Sequence, residues 1–115
     1  MEKVSTSMAS ISNPEPNLLV LEGEIDLHES SAVKERLRQM LESKPSRVFV
    51  DLTGVKYIDS SGLAVLIGAM QQISAYGGGL ALYGIHENVK AIFHISRLDQ
   101  VFRIFPDRRT AEKEL

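Results

Sequence analysis

Residues 48–70 constrain the fold more than any other part of the chain. They read VFVDLTGVKYIDSSGLAVLIGAM, which is an apolar run rich in β-branched residues, a polar turn ending in DSSG, and an apolar segment of helical length. The first run, residues 48–52, is typical of a strand that is buried on both faces. The stretch therefore predicts a strand, a loop over residues 53–58 and a helix from about Ser61 to Tyr76.

Further strands and helices flank this unit. Upstream, Asp26-Leu27-His28-Glu29 has the spacing of a capping box with Asp26 in the cap position, so a helix should run from there to about Ser43. Downstream, three glycines at 77–79 end the second predicted helix, because glycine accepts the left-handed conformation used at helix C-termini. The remaining predicted elements are strands at 18–21 and 80–83, a helix at 88–96, an edge strand at 101–105 and a charged terminal helix.

The first residues of the chain, 1–12, are expected to form either a mobile tail or an edge strand. Val4, Thr6 and Met8 alternate with small residues, as in a half-buried strand. Residues 13–16, reading NPEP, predict a turn into the strand at 18–21. Together these residues predict an antiparallel β-hairpin at one edge of the sheet.

The alternation of strands and helices predicts a single α/β domain over residues 1–115. Strands that are separated by helices become parallel neighbours, so we expect a small mixed sheet with a parallel centre, an antiparallel N-terminal edge strand and four packed helices. Right-handed crossovers bring the strand-to-helix loops to one rim of the sheet. Asp26, the turn at 59–61 and the turn at 84–86 should therefore share that rim.

Composition and charge exclude several classes of protein. Hydrophobic residues make up 43% of the chain, as in globular domains, and the formal net charge of -2 gives no general attraction to nucleic acid or anionic lipid. The absence of cysteine excludes disulfides and thiol catalysis, and His28, His86 and His94 lack a metal-site spacing, so we expect no metal and no cofactor. Without an apolar leader or a membrane-length apolar run, the sequence predicts a soluble, cytoplasmic protein with no direct membrane insertion.

The sequence Asp59-Ser60-Ser61-Gly62 has more than one chemical interpretation. In the first, Asp59 or Ser60 simply caps the following helix. In the second, the unpaired N–H groups and the dipole of the helix N-terminus, with two hydroxyls and a glycine nearby, accept a phosphate. Residue chemistry does not choose between the two serines. A serine hydrolase is a third interpretation, but it would need a glycine before the serine and a histidine base at the rim.

The chain also resembles a known family. Residues 48–66, with the apolar strand, the sequence DSSGL and the apolar helix, resemble the signature of STAS domains, specifically the anti-sigma-factor antagonists. Gly23-Glu24-Ile25-Asp26 looks like the family's Gly-Glu-(Leu/Ile)-Asp turn, residues 77–82 like its Gly-Gly-x-Leu strand entry and residues 89–98 like its third helix. The similarity covers residues 18–111.

The resemblance implies a STAS fold and a phospho-switch that is not an enzyme. In such antagonists the first serine after the aspartate, here Ser60, is phosphorylated by the partner anti-sigma factor, an ATP-dependent serine kinase. The unphosphorylated form binds the anti-sigma factor and releases the sigma factor, the phosphorylated form dissociates, and a PP2C-type phosphatase resets it. The residues expected in the partner interface are Asp26, Asp59, Ser60, Ser61, Gly62 and Leu63.

Two alternatives to this function stay open. The same fold is expected in binding subunits of stress-signalling or lipid-transport complexes that lack this phosphorylation cycle. A small serine hydrolase is the alternative from a different class. For an antagonist we expect a monomer or a weak dimer that acts through protein partners and not through nucleic acid.

Overall fold

A computed structural model describes residues 10–115 and shows one mixed sheet covered by helices. In chain order the elements are β1 (Ser10–Glu15), β2 (Leu18–Ile25), α1 (Leu27–Leu41), β3 (Arg47–Ile58), α2 (Ser60–Ala75), β4 (Gly79–Tyr83), α3 (Glu87–Ile95), a 3-10 turn (Leu98–Gln100), β5 (Arg103–Phe105) and α4 (Arg108–Glu114). The strands follow this order across the sheet, with β1 antiparallel to β2 and all other neighbours parallel. The predicted α/β class, mixed sheet and four helices are confirmed.

The core lies on both faces of the sheet, because successive residues of a strand point to opposite sides. Val48 and Val50 of β3 belong to the cluster that contains the buried residues of α1, α2 and α3, whereas Phe49 packs in a second cluster with Ala111 of α4. Val48, Phe49 and Val50 are all buried, as predicted for a strand that is covered on both faces. The central strand therefore holds both layers of helices together and carries the Asp59 turn at its end.

The structure corrects the prediction that residues 53–58 form a loop. They continue β3 as far as Ile58, which lies opposite Ile25 in a parallel pairing with the second half of β2. The register of this pairing shifts between Val20 and Glu22 and again between Gly23 and Glu24. Val55 and Ile58 are buried. The sequence TGVKY does not alternate cleanly, so its strand conformation depends on pairing with β2 and on no local pattern.

The N-terminal hairpin is present, but its turn lies later than predicted. Asn13, Pro14 and Glu15 belong to β1, so the turn follows Glu15. The side-chain amide of Asn13 donates to the carbonyl oxygens of Glu15 (2.6 Å) and Leu18 (2.7 Å) where the regular pairing is interrupted. Pro14 is tolerated because an edge strand has one side without a hydrogen-bonding neighbour.

The other elements differ from the prediction mainly at their ends. β2 reaches Ile25 and is longer than predicted, while the last strand begins at Arg103 and is shorter. The alternating residues at positions 4, 6 and 8 lie outside the described part of the chain. Within residues 10–115, none of the helices has the length and apolar character needed to cross a bilayer.

Candidate functional site

Asp59 is the residue that caps α2. It follows β3 with an extended backbone (φ -104°, ψ -174°), and its carboxylate oxygen Oδ1 accepts hydrogen bonds from the backbone N–H groups of Ser61 (2.9 Å) and Gly62 (3.2 Å). These N–H groups have no partner inside the helix, so the side chain satisfies them. Of the two cap candidates in the sequence, Asp59 and Ser60, the structure selects Asp59.

The two serines that follow Asp59 have different environments. Ser61 is half-buried, and its hydroxyl donates a hydrogen bond to Asp59 Oδ1 at 2.6 Å. Ser60 is exposed, and within residues 10–115 its hydroxyl has no hydrogen-bond partner. The two hydroxyls that residue chemistry could not separate therefore differ in accessibility, and Ser60 carries the free one.

The pKa of the Asp59 carboxyl lies below its ordinary value. The hydrogen bond from the Ser61 hydroxyl has the largest effect in lowering this pKa, partial burial opposes it, and the N–H groups of Gly62, Ser61 and Leu27 lower it further. The carboxylate is therefore ionised at neutral pH. Ser60, the first residue of α2, thus directly follows a fixed negative charge and lies at the positive end of the α2 dipole.

The Asp59 carboxylate also joins the starts of α1 and α2. Asp26 caps α1 by accepting hydrogen bonds from the N–H groups of His28 (3.0 Å) and Glu29 (3.2 Å). The N–H of Leu27, the first residue of α1, donates across to Asp59 Oδ2 at 3.1 Å. The prediction that Asp26 and Asp59 share one rim of the sheet is confirmed, and a direct hydrogen bond connects the two loops.

The turn at 84–86 meets the sheet further back along β3. β4 pairs with β3 only as far as Asp51, so the chain leaves β4 well before β3 ends. Nε2 of His86 donates to the backbone carbonyl of Thr53. Within residues 10–115, no hydrogen bond connects this turn to Ser60. The turn at 84–86 therefore lies at the predicted end of the sheet, but its contact with β3 is at Thr53 and not at the Asp59 turn.

Gly62 and Leu63 lie in the first turn of α2 and are buried beneath the exposed Ser60. A methyl group added at Gly62 would lie 2.7 Å from Cγ1 of Ile58 and 3.0 Å from the carbonyl oxygen of Ile25. Glycine therefore lets α2 begin close to the ends of β2 and β3. Leu63 is 8% exposed and belongs to the main core. In a partner interface both residues would position the exposed residues instead of touching the partner.

Comparison with known proteins assigns this arrangement to a family. The sequence-family model of the STAS domain matches residues 9–111, which is nearly the whole chain. The chain belongs to the STAS domain family. Its sheet order and its four helices are thus those of a STAS domain, as the resemblance implied.

Proteins similar to this STAS domain include several antagonists. The anti-sigma-B factor antagonist of Listeria monocytogenes is 33% identical over 82 residues, which cover 71% of this chain and 72% of that protein. The crystal structure of an anti-sigma factor antagonist from Mycobacterium paratuberculosis has a TM-score of 0.79 and 19% identity, covering 91% of this chain and 92% of that one. The Bacillus cell fate determinant SpoIIAA in its phosphorylated form has a TM-score of 0.67 and 16% identity, covering 91% and 97%.

Two exposed apolar side chains of this STAS domain lie near the Asp59 turn and were not predicted as site residues. Leu27 is 74% exposed at the start of α1, and Tyr57 is 46% exposed near the end of β3. Leu27 follows a cap residue and Tyr57 lies in the stretch predicted to be a loop, so the sequence pattern gave no reason to expect either on a surface next to Ser60.

Proposed function

We propose that this protein is an anti-sigma factor antagonist whose binding is switched by phosphorylation of Ser60. The unphosphorylated form binds an anti-sigma factor and releases the sigma factor, and the phosphorylated form dissociates. The observation that carries the proposal is the exposed Ser60 hydroxyl, which is unpartnered within residues 10–115 and lies at the start of α2. The Listeria relative and the phosphorylated form of SpoIIAA support it.

The anti-sigma factor would act as an ATP-dependent serine kinase. Ser60 Oγ attacks the γ-phosphorus of ATP, the new O–P bond forms, the bond from phosphorus to the β–γ bridging oxygen breaks, and ADP leaves. The hydroxyl proton passes to a base of the kinase, and a PP2C-type phosphatase later hydrolyses the phosphate. The chain itself supplies an acceptor and no catalytic group. In support of this, the ring of His86 donates a hydrogen bond to the backbone carbonyl of Thr53 and not to a serine.

A phosphate on Ser60 should act on binding and leave the fold intact. The N-terminus of α2 carries the positive end of the helix dipole, so it tolerates the roughly two added negative charges. Next to the ionised Asp59, however, the phosphate makes the surface strongly negative and strongly hydrated. A partner that fits closely against the unphosphorylated turn would be repelled.

The proposed partner surface lies at one end of the sheet. Because sigma factors act where RNA is transcribed, the proposal places the protein in the cytoplasm. The surface comprises the two caps and the serines, supported by two buried residues: Asp26, Asp59, Ser60 and Ser61, with Gly62 and Leu63 beneath.

Mapping the phosphate tests the proposed site. The wild-type protein and its Ser60→Ala and Ser61→Ala variants are incubated with the candidate kinase from the same genome and ATP, and the modified residue is identified by mass spectrometry. We expect phosphate on Ser60 in the wild type and in Ser61→Ala, and none in Ser60→Ala. Phosphate on Ser61, on Thr53 or on no residue would contradict the assignment.

Binding measurements test the switch. Ser60→Asp should weaken the affinity for the anti-sigma factor by about tenfold or more, because like charges that meet at an interface are costly. Ser60→Ala should bind like the wild type. Both variants should keep the melting temperature within about 2 °C, since changes at exposed positions have small effects on stability. If the two variants bind equally well, phosphorylation of Ser60 does not control binding.

A further inference from the structure

Leu27 has an exposed apolar side chain that the fold does not use. It is the first residue of α1, and the residue is 74% exposed. The cap of this helix comes from Asp26, and Leu27 contributes only its backbone N–H to the neighbouring turn. The residues of α1 that are buried are Ser30, Val33, Leu37, Met40 and Leu41. The side chain of Leu27 can therefore be changed without disturbing the core or the cap.

The position of Leu27 relative to Ser60 is set by a hydrogen bond. Its N–H donates to Asp59 Oδ2 at 3.1 Å, and Asp59 directly precedes Ser60. A kinase that phosphorylates Ser60 must bring its nucleotide within reaction distance of Ser60 Oγ, and the residues around that nucleotide must cover the turn. The protein that covers Ser60 therefore also covers Leu27, and this identifies the partner of the exposed side chain.

We propose that Leu27 is a specificity-determining contact for the serine kinase that phosphorylates Ser60. Its side chain inserts into an apolar recess of the kinase next to the nucleotide site, where removal of its surface from water stabilises the complex. The inference rests on the proposed function and adds the chemistry of the partner surface.

The test compares two exposed apolar residues, one beside the Ser60 turn and one at the C-terminal end of α3. Leu27→Ser removes the proposed contact. Ile95→Ser is the matched control, because Ile95 is 80% exposed and is the last residue of α3, which begins at the Ser60 end and runs away from it. Leu27→Met keeps an apolar side chain of similar size and should restore the contact. The affinity for the candidate kinase is measured by calorimetry, and the phosphorylation of Ser60 by steady-state kinetics.

We expect Leu27→Ser to weaken kinase binding by about tenfold and to raise KM with little change in kcat, as for the loss of a contact made equally in ground and transition states. Ile95→Ser and Leu27→Met should remain within about twofold of the wild type. If Leu27→Ser behaves like the wild type while Ser60→Ala blocks phosphorylation, the inference is wrong and the proposed function stands. If Leu27→Ser and Ile95→Ser lose affinity equally, the inference is also wrong. If the wild-type protein is neither bound nor phosphorylated, both fail.

Discussion

Replacing Asp59 by alanine should destabilise the protein by more than the loss of a helix cap. The carboxylate makes three sets of contacts: Oδ1 caps α2 through the N–H groups of Ser61 and Gly62, Oδ1 also accepts the Ser61 hydroxyl, and Oδ2 accepts the N–H of Leu27 from α1. The half-buried Ser61 hydroxyl can donate to water when the carboxylate is removed, so its loss adds little. Losing a cap costs about 1 kcal/mol, and losing a further hydrogen bond costs about 1 kcal/mol more. The free energy of unfolding should therefore fall by about 2 kcal/mol, which lowers the melting temperature by roughly 8–10 °C.

Asp26→Ala is the matched control for this change. Within residues 10–115, the Asp26 carboxylate bonds only to N–H groups of its own helix, those of His28 and Glu29. Its loss should cost about 1 kcal/mol. Urea unfolding of both variants at pH 7, followed by circular dichroism, gives the two free energies. Their difference, about 1 kcal/mol, contains the hydrogen bond between the helices and any contribution of the Ser61 hydroxyl, which bonds to Asp59 but has no counterpart at Asp26.

A double-mutant cycle with Leu27→Pro identifies the source of that difference. Proline removes the N–H and suits the first position of a helix, and Asp26 before it already has the extended conformation that precedes proline (φ -110°, ψ -172°). Asp59→Ala should cost about 1 kcal/mol less in the Leu27→Pro background. Equal costs for Asp59→Ala and Asp26→Ala, or an unchanged cost of Asp59→Ala in both backgrounds, would refute the role of Asp59 as a link between helices.

Two further predictions concern the packing and the charge of the same turn. Gly62→Ala should destabilise the protein by about 1–3 kcal/mol, because the added methyl would lie 2.7 Å from Ile58 Cγ1, whereas Gly68→Ala, with no atom within 4 Å, should stabilise it by about 0.5–1 kcal/mol. Urea unfolding measures the change in the free energy of unfolding for both variants. If both variants change it in the same direction, the packing role of Gly62 is contradicted. The pKa of Asp59 is lowered in the folded state, so its ionised form contributes stability that is present above the ordinary carboxyl pKa and is lost as the pH falls through the folded value. The stability difference between the wild type and Asp59→Asn should therefore shrink below about pH 4, and a difference that grows in acid would show that the ionised carboxylate is not stabilising.

Much of the fold is predictable from sequence because it depends on local chemistry. The apolar run at 48–52, the cap at Asp26 and the glycine that ends α2 at Gly77 (φ +86°) each follow from residue type and spacing. Residues 53–58 could not be predicted in this way. Their strand conformation comes from pairing with β2, and a register set by a partner strand leaves only a weak local pattern.

The same distinction applies to the candidate site. The sequence by itself determined that a turn with an aspartate, two serines and a glycine leads into α2, and that Asp26 comes to the same rim of the sheet. Only the tertiary structure decided which hydroxyl is free, because Ser61 is held by Asp59 and Ser60 is not. It also decided that Leu27 lies exposed beside this turn, since the hydrogen bond that holds Leu27 there joins residues 32 positions apart. No periodicity within either helix encodes a contact between them.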